Sequence, residues 1–538
     1  MKLVQHKITF SLFLLGFVLL AGVKAQTLKR TETPLLASQC SGTFIAHELE
    51  HETTTQGGQI IRAFEANGGG VALGDLNNDG KQDIVLANQA GKNTILWNQG
   101  GLSFNAQEME IGDTRAVMIF DLDGDGWQDI ILSRQSSAPN FWRNQGDGSF
   151  VLEFLPNITR PLYAINWADL DQDGDLDLVG ATYDAALLNA SGSDFLNSGN
   201  AGVYIYWNER GRFREERLAS EAQALALSLS DLNEDGKPDI LVGNDFAVPD
   251  RLWLSGRGGF REAQLFAETT YSTMSFDTGD LNNDGKPELF ASDMLPHATE
   301  EMRLWEPFLN SIKAEVNPGG DLQQRENVLQ FQGGKQFQNR AADWGVNGTG
   351  WSWSAKFGDL DQDGFLDLYV VNGMIEESIF RYLPKHELVE ENLVLRNTGS
   401  QFELKPDWKL GSTLSGRGMS MTDLDSDGDL DIVVNNLRGP SMLFENQLCE
   451  GSSLLVELNW PDSHNPAAIG AKLRLETSMG TLYRELKGAS GYLSGDSHQS
   501  HFGFPEGTEL FSLTVIWPDG LETKLDTLAS HTLLQLSR

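Results

Sequence analysis

Short apolar runs separated by polar turns extend along most of this chain, and their composition is that of β-strands. Residues 116–120 and 224–228 are examples of one set of runs, and residues 83–86 and 129–132 are examples of a second set. The runs are short, rich in Val, Ile, Leu and Ala, and bounded by Gly, Asn or Asp. The pattern therefore predicts an all-β chain built from short hairpins.

One acidic motif of nine residues, D-x-[DN]-x-D-G-x-x-[DE], connects a run of the first set to a run of the second, and it occurs seven times. Its first positions are Asp75, Asp121, Asp169, Asp231, Asp280, Asp359 and Asp423, which are 46, 48, 62, 49, 79 and 64 residues apart. The shortest spacings, 46–49 residues, accommodate about four short strands, which is typical of a β-propeller blade. The repeat therefore predicts a seven-bladed β-propeller with one motif in each blade hairpin.

The three long spacings are interpreted as insertions, which often carry binding function. Residues 181–203 are rich in Asn, Ser and Gly and predict a surface loop in the third blade. Residues 293–320 have mixed helical spacing and predict a short helix over the fifth blade. No element is assigned around residues 375–391.

Two segments at the ends of the repeat predict how the ring closes. Residues 43–50 form an isolated strand-like run before the first blade, and we expect this run to complete the seventh blade after residues 441–444. The two cysteines of the chain, Cys40 and Cys449, flank these segments. A disulfide between them would join the first strand to the last, and two unpaired thiols are the alternative.

The acidic motif has the oxygen-rich pattern that Ca²⁺ requires. Ca²⁺ accepts six to eight oxygen ligands, so side chains at positions 1, 3, 5 and 9 and the carbonyl at position 7 can converge on one ion. Glycine at position 6 allows the sharp turn. We therefore predict up to seven bound Ca²⁺ ions. The predicted ligands are Asp75, Asn77, Asp79, Lys81 and Asp83; Asp121, Asp123, Asp125, Trp127 and Asp129; Asp169, Asp171, Asp173, Asp175 and Asp177; Asp231, Asn233, Asp235, Lys237 and Asp239; Asp280, Asn282, Asp284, Lys286 and Glu288; Asp359, Asp361, Asp363, Phe365 and Asp367; and Asp423, Asp425, Asp427, Asp429 and Asp431.

Two other interpretations of the motif are disfavoured. An EF-hand needs a bidentate Glu at position 12, where these loops have Leu86, Leu132, Gly180, Val242, Ala291, Val370 and Val434. Seven turns without an ion would leave three to five acidic groups of each loop repelling one another. The fifth loop is the least regular, because Glu288 replaces Asp at position 9.

The N-terminus and the composition predict a secreted protein. Lys2 and Lys7 precede an apolar run over residues 10–21, and cleavage is expected near Ala25 and Gln26, as in a signal peptide. The net charge of −36 disfavours nucleic acid as a partner, and 28 of the 76 acidic residues lie in the seven loops. No later segment is apolar over the length of a membrane span.

The repeats resemble the FG-GAP or VCBS repeats of integrin-α-like propellers, in which the same loop binds calcium. Residues 491–494 (G-Y-L-S), 501–504 (H-F-G-F) and 515–520 (V-I-W-P-D-G) resemble an ASPIC/UnbV domain, and the combination resembles bacterial relatives of cartilage acidic protein. The expected domains are a signal peptide over residues 1–25, the propeller over 42–447 and a small β-sandwich over 452–538. The resemblance implies extracellular binding or adhesion without assigned chemistry.

Three groups of residues could carry other chemistry. Residues 47–51 (H-E-L-E-H) match the zincin motif, but they lie in a β-prone context instead of a helix, which favours a chance match. His498, His501 and Asp496 could form a metal cluster or have a structural role, and the structural role is favoured. Trp351 and Trp353 could stack on a sugar or belong to the core, and the core is favoured.

The leading functional hypothesis is a non-enzymatic, calcium-binding protein, secreted, periplasmic or at the cell surface, that engages a protein or glycan through the propeller face and its insertions. The alternative is an enzyme or biosynthetic accessory factor that uses the central channel or the domain junction. No catalytic constellation is identified. The fold alone cannot choose between them, because propellers host many functions on one scaffold.

Overall fold

The computed structural model describes residues 28–58, 60–192, 195, 198–246, 248–298, 302–311, 322–334 and 336–538. The predicted signal peptide lies outside these residues. Within them the strands before and in the first two repeats are β1 (Lys29–Pro34), β2 (Ile45–Glu52), β3 (Val71–Gly74), β4 (Asp83–Leu86), β5 (Lys92–Asn98), β6 (Phe104–Ile111), β7 (Thr114–Phe120), β8 (Asp129–Arg134), β9 (Asn140–Asn144) and β10 (Phe150–Phe154).

The strands of the third to fifth repeats continue the same order. They are β11 (Ala164–Ala168), β12 (Asp177–Ala181), β13 (Val203–Asn208), β14 (Phe213–Ala219), β15 (Ala224–Ser230), β16 (Asp239–Asn244), β17 (Arg251–Leu254), β18 (Arg261–Ala263), β19 (Glu268–Thr270), β20 (Ser275–Gly279), β21 (Glu288–Ser292), β22 (Met294–Leu295), β23 (Leu322–Gln324), β24 (Val328–Gln332) and β25 (Phe337–Asn339).

The remaining strands and the helices complete the described chain. The strands are β26 (Gly350–Trp351), β27 (Ser354–Gly358), β28 (Asp367–Val371), β29 (Met374–Ile375), β30 (Glu387–Leu388), β31 (Leu393–Asn397), β32 (Phe402–Leu404), β33 (Gly416–Thr422), β34 (Asp431–Asn436), β35 (Pro440–Glu445), β36 (Gly451–Asn459), β37 (Lys472–Thr477), β38 (Gly480–Glu485), β39 (Ala489–Ser490), β40 (Ser494–Gly495), β41 (Gln499–Pro505), β42 (Leu510–Ile516), β43 (Glu522–Leu525) and β44 (Thr532–Ser537). The helices are α1 (Asp184–Ser191), α2 (Met302–Ser311) and short 3₁₀ turns at Ala63–Asn67, Pro384–His386 and Pro406–Trp408.

In the described part of the chain, seven four-stranded antiparallel units follow one another, and we number them units 1 to 7. They are β3–β6, β7–β10, β11–β14, β15–β18, then β20, β21, β24 and β25, then β27, β28, β31 and β32, and finally β33–β35 with β2. The first strand of each unit contacts the first strand of the next, and β33 returns to β3. This ring is the arrangement of a β-propeller, and the predicted all-β fold is confirmed.

The inner strands are continuous apolar runs because both of their faces are covered by neighbouring units. Every residue of β3, β7 and β11 is buried, whereas the outer strand β14 is buried only at its first and last residues. The short buried runs in the sequence are therefore the two inner strands of each unit.

The N-terminal strand closes the ring as predicted. β2 pairs antiparallel with β35, with Ile45 opposite Glu445 and Ala46 opposite Phe444. Cys40 and Cys449 form a disulfide with a Cα–Cα distance of 5.6 Å, which joins the two ends of the ring. The predicted disulfide is confirmed.

The insertions differ in part from the expectation. The third unit contains helix α1 where a loop is predicted, because Ala186 and Leu187 pack into the core and the Ala185 amide donates to Gln223 Oε1 at 2.9 Å. The predicted helix over the fifth unit is confirmed as α2, whose Trp305 ring packs against Trp351. The third insertion contains the β29–β30 hairpin and a 3₁₀ turn.

The C-terminal segment forms two four-stranded sheets that enclose one apolar core. One sheet has the order β38-β37-β42-β43 and the other has the order β1-β44-β36-β41. Val456, Leu475, Phe502 and Val515 belong to the shared core. The predicted β-rich segment is thus joined by β1, from the opposite end of the chain. We call β1 with residues 451–538 the C-terminal module.

A short hairpin of the C-terminal module, β39–β40, enters the centre of the ring. Ser494 pairs with Val117 of β7, and Gly495 pairs with Ala72 of β3, both in parallel register. The hairpin therefore adds to the innermost strands of units 1 and 2. Separately, none of the helices in the described ranges is both long and apolar enough to cross a membrane.

Removing the disulfide should destabilise the protein. It closes a loop with a sequence separation of 409 residues, and a cross-link over so long a loop contributes on the order of 5 kcal/mol in the chain-entropy account. We expect the C40S/C449S double variant to melt at a lower temperature than the wild type in calorimetry. Thiol titration of the unfolded wild type without reductant should detect no free thiol, and two reactive thiols would contradict the clasp.

Candidate metal centres

Each acidic loop is the complete connection between the first two strands of a unit. In unit 1, β3 ends at Gly74 and β4 begins at Asp83, so residues 75–83 form the whole turn. The same boundaries recur in all seven units that the structure describes. The loops therefore lie together at one end of the ring, because the first strands run side by side around it. We call this end the loop face.

Backbone amides hold the first carboxylate of each loop in a fixed position. In unit 1 the Gly80 amide donates to Asp75 Oδ2 at 2.8 Å, and the Asp79 amide donates to Asp75 Oδ1 at 3.1 Å. The equivalent glycine amide donates to position 1 in the other six loops at 2.8–3.1 Å. These seven glycines have φ between 83° and 96°, which a residue with a Cβ rarely adopts.

The acidic residue at position 9 is fixed from two sides. Asp83 Oδ2 accepts the Leu76 amide at 3.1 Å, and Asp83 Oδ1 accepts the Asn98 amide at 2.8 Å. The same pair of contacts occurs at position 9 in every unit that has Asp there. In the fifth unit Glu288 accepts the Leu281 amide at 2.8 Å. The second residue of the loop and the residue at the end of the third strand thus both donate to this carboxylate.

In four loops of the described chain, the carboxylates at positions 1, 3 and 9 lie within 4.8 Å of one another, at a separation that fits oxygens around one cation with bonds of about 2.3–2.6 Å. These are Asp121, Asp123 and Asp129; Asp169, Asp171 and Asp177; Asp359, Asp361 and Asp367; and Asp423, Asp425 and Asp431. The other three loops have Asn77, Asn233 and Asn282 at position 3, where the amide oxygen can replace a carboxylate oxygen. The clusters have the donor chemistry of a metal site.

Known protein families match both parts of the chain. A family described as an FG-GAP-like repeat matches residues 121–180 and 231–291, and a family described as an FG-GAP repeat matches residues 67–101. A family described as ASPIC and UnbV matches residues 461–538. The chain contains FG-GAP repeats and an ASPIC/UnbV domain.

One curated relative and several solved structures are also similar to the chain. Cartilage acidic protein 1 of Xenopus tropicalis is 33% identical over 172 residues, which cover 30% of this chain and 25% of the relative. The chain thus aligns with about a quarter of that protein's length.

The structural matches are distant. BBS1N in complex with ARL6DN has a TM-score of 0.37 at 10% identity, covering 76% of this chain and 98% of that chain. Rhamnogalacturonan lyase YesW has a TM-score of 0.35 at 12% identity, covering 75% and 76% of the two chains. The V. cholerae biofilm matrix protein Bap1 has a TM-score of 0.29 at 12% identity, covering 91% and 64%. Nothing about the chemistry of this chain follows from these matches.

Burial and mutual repulsion oppose ionisation of the FG-GAP loop carboxylates. Burial, together with neighbouring carboxylates, raises the pKa of Asp83 to about 7 and the pKa values of Asp129 and Asp177 to about 8. The same causes raise the pKa of Asp431 well above its usual range. The ionised carboxylates of each loop are therefore destabilised, and a bound cation would remove this destabilisation.

Hydrogen bonds from basic side chains already offset part of this charge in three loops. In unit 6, Arg396 donates to Asp361 and, at 2.6 Å, to Asp363. Lys81 donates to Asp79 in unit 1 at 2.9 Å, and Lys472 of the C-terminal module donates to Asp231 in unit 4 at 2.6 Å. The motif does not include Arg396 or Lys472, so sequence reasoning on the nine residues alone missed them.

Asparagines at the ends of third strands link the loops of neighbouring units. Asn144 Nδ2 donates to Leu76 O of the preceding loop at 2.7 Å and to Gln128 O of its own loop at 2.9 Å. Asn98, Asn397 and Asn446 make the equivalent bond to the preceding loop. Sequence analysis missed this set, although in units 1, 2 and 7 the asparagine follows position 9 at the same distance along the chain.

Side chains at position 4 make a second set of links. Asn78 donates to Gly126 O in the next loop at 3.0 Å, and Gln362 donates to Gly428 O at 3.0 Å. Gln172 and Asn283 make the same contact in their units. The two sets of bonds link loop 1 to 2, 3 to 4, 5 to 6, 6 to 7 and 7 to 1, so that the shape of each of these loops constrains the shape of its neighbour.

The zincin-like segment belongs to a strand, as expected. His47 and His51 lie in β2, where His47 Nε2 bonds Glu445 Oε2 at 2.7 Å and His51 Nδ1 bonds Thr94 Oγ1 at 2.8 Å. The two imidazoles have different neighbours and do not converge on one point. Burial lowers the pKa of His51 to about 4, which keeps it neutral.

The histidines of the ASPIC signature also point to separate partners. His498 stacks on Phe120, and His501 Nε2 lies 3.1 Å from Gly428 O. Burial lowers the pKa of His498 to about 4 and that of His501 to about 3. Trp351 and Trp353 are 3% and 1% exposed, so both belong to the core as favoured from the sequence.

The raised pKa values predict an unusual pH dependence for the metal-free protein. The loop carboxylates bind protons more tightly in the folded state than in the unfolded state, where Asp titrates near pH 4. Stability is therefore gained as the pH falls through the folded values of about 6–8, and it is lost as the pH rises through them. In EDTA we expect the melting temperature to increase by several degrees between about pH 8 and about pH 5. A flat or opposite profile in scanning calorimetry would contradict this.

Proposed function

We propose that this protein is a secreted, calcium-binding β-propeller that recognises an extracellular protein or glycan. One observation carries the calcium part of the proposal: the FG-GAP loops share one hydrogen-bonded frame, and in four of them this frame brings three carboxylates within 4.8 Å of one another. Under the proposal, positions 1, 3, 5, 7 and 9 of each loop bind one Ca²⁺, with up to seven ions in total. The ions stabilise the seven units as blades.

The donor set favours Ca²⁺ over other common metals. Carboxylate, amide and carbonyl oxygens are hard ligands, and Ca²⁺ tolerates the irregular geometry and high ligand number that a nine-residue loop offers. Mg²⁺ requires a near-ideal octahedron at shorter distances. Zn²⁺ prefers His and Cys ligands, and the nine-residue loops contain neither.

The binding part of the proposal is supported by the face opposite the loops. Connections between second and third strands leave the sheets at the end away from the acidic loops, and they include α1, α2 and the third insertion. We call this end the insertion face. Large apolar side chains are exposed on these connections, namely Leu188, Phe246, Met302, Leu304, Tyr382 and Val389. Such a concentration on one face is typical of a protein-binding surface.

The domain organisation under this proposal follows the sequence. Residues 1–25 are the signal peptide, residues 42–447 are the propeller and residues 452–538 are the ASPIC/UnbV domain. The disulfide supports secretion, because disulfides persist in oxidising compartments. Filling of the channel by the β39–β40 hairpin disfavours the alternative of an enzyme that uses this channel.

Calcium removal should lower the melting temperature. A single site at a free Ca²⁺ concentration of 100 Kd contributes about 2.7 kcal/mol of stability. We expect EDTA to lower the melting temperature of the wild type. We expect Asp123→Ala to reduce the increase in melting temperature that Ca²⁺ causes, and to reduce the number of ions bound in calorimetry by one. Asp147→Ala is the matched control, because Asp147 is an exposed aspartate of the same unit outside the loop. An unchanged melting temperature in EDTA would disprove the structural role of calcium.

Binding should depend on the insertion face. We expect an array of extracellular proteins and glycans to give a ligand whose binding is weakened at least tenfold by the F246S/L304S double variant. The control is F511S/L521S, which alters two exposed apolar residues of the C-terminal module. Equal loss in both variants, or turnover in a hydrolase and lyase panel without binding, would contradict the proposal.

A further inference from the structure

The C-terminal module lies directly on the loop face, and each of the seven FG-GAP loops contacts it. Side-chain contacts reach the loops of units 1, 2, 3, 4, 6 and 7. They are Ser497 Oγ to Gln82 Oε1 (3.1 Å), His498 Nδ1 with Gln128 Nε2 (3.2 Å), Ser463 Oγ to Gly174 O (2.8 Å), Lys472 Nζ to Asp231 Oδ2 (2.6 Å), Arg484 Nη2 near Asp359 Oδ2 (3.9 Å) and His501 Nε2 to Gly428 O (3.1 Å). In unit 5, a Cβ on Gly285 would lie 3.1 Å from the Tyr483 ring.

The approach between the module and the loops is close enough to require glycine on both sides. A Cβ on Gly428 of the seventh loop would lie 2.7 Å from Ser453 Oγ of the module. A Cβ on Gly503 of the module would lie 2.5 Å from Asp359 Oδ2. The glycine turn of the loop therefore also forms part of the docking surface, and a change in loop shape would disturb the contact.

The hairpin that the module inserts is bonded to the first strands of six units, and in unit 3 Asn166 Nδ2 donates to Ala489 O at 3.3 Å. The Gly491 amide donates to Phe276 O of unit 5 at 2.7 Å, and the Val117 amide of unit 2 donates to Leu493 O at 3.2 Å. Ser494 Oγ accepts the amides of Val71 in unit 1 and Met419 in unit 7 at 3.3 and 3.2 Å. In unit 6, Ser354 Oγ accepts the Tyr492 amide at 3.1 Å.

Tyr492 extends this insertion towards the insertion face. Its side chain is 0% exposed, its hydroxyl donates to Asn67 O at 3.1 Å and its ring packs against Trp353. Asn67 lies in the 3₁₀ turn that precedes β3, at the end of the ring away from the acidic loops. The hairpin therefore blocks the channel along its depth.

We infer that the C-terminal module is a calcium-dependent plug, which closes the propeller channel with its β39–β40 hairpin. Ca²⁺ in the loops neutralises their carboxylates and fixes the surface on which the module docks, and docking holds residues 489–495 inside the ring. Without Ca²⁺ the carboxylates of each loop repel one another, the docking surface loosens and the hairpin leaves the channel. The inference rests on the calcium binding proposed above.

The coupling must act in both directions. If Ca²⁺ strengthens docking because both stabilise the same loop shape, then docking must raise Ca²⁺ affinity by the same factor, and weakening the docked hairpin must lower Ca²⁺ affinity by up to that factor. This reciprocity allows a test with residues that are not calcium ligands. It also separates the plug from simple calcium binding, since the ions could bind equally well with the hairpin in or out.

Amide hydrogen exchange of the full chain, with Ca²⁺ and with EDTA below the metal-free melting temperature, tests the release. We expect residues 489–496 to exchange at least tenfold faster in EDTA, while β42 in the β38-β37-β42-β43 sheet of the module keeps its protection. Equal exchange of residues 489–496 in both conditions, or parallel loss in both segments, would overturn the inference. Calorimetric Ca²⁺ titration of the same sample reports separately whether the proposed calcium binding fails.

A variant provides the reciprocal test. We expect Tyr492→Ala to lower the Ca²⁺ affinity about tenfold, which lies within the usual range of such coupling. The milder Tyr492→Phe, which removes only the hydroxyl bond, should show a smaller change in the same direction. The matched control is Tyr204→Ala in unit 3, which removes a buried tyrosine whose hydroxyl donates to Ala201 O at 2.7 Å. Wild-type affinity in both Tyr492 variants would overturn the inference.

Discussion

Repulsion among carboxylates that the backbone holds together is the constraint on which the rest of this structure depends. Amides fix both oxygens of Asp83 and its counterparts, so the acidic groups cannot move apart without breaking the turns. Burial raises their pKa values because the protein offers them too little positive charge. A cation is the simplest way to stabilise such a turn, and this requirement makes the proposed calcium a part of the scaffold.

The loops transmit this constraint around the ring and into the C-terminal module. Asn144 and Asn78 bond carbonyls of adjacent loops, so one misshapen loop would strain its neighbours. The module rests on the same turns and sends a hairpin into the channel. The Cys40–Cys449 disulfide then fixes the closing strand beside the point where the module begins. The proposed calcium sites, the ring closure and the proposed plug are therefore parts of one connected structure.

The two faces of the ring have different chemistry, and this division guides the functional proposal. The loop face is acidic and covered, whereas the insertion face exposes apolar side chains such as Phe246 and Leu304. Scaffold stabilisation belongs to the first face. Recognition of a partner is proposed for the second face. There the connections vary in length, and their exposed side chains do not pack against the sheets.

The sequence by itself determined the features that are local: the nine-residue loops with their glycine turns, the buried inner strands and the period that separates them. It also placed Cys40 and Cys449 at the closure, because each flanks a strand of the same unit. Only the tertiary structure decided that β1 completes the C-terminal sheet, that α1 is helical, that Asn144 bridges two loops and that Tyr492 fills the channel. A turn contains most of its own hydrogen-bond partners within nine residues, whereas these other contacts join residues of different units or opposite ends of the chain.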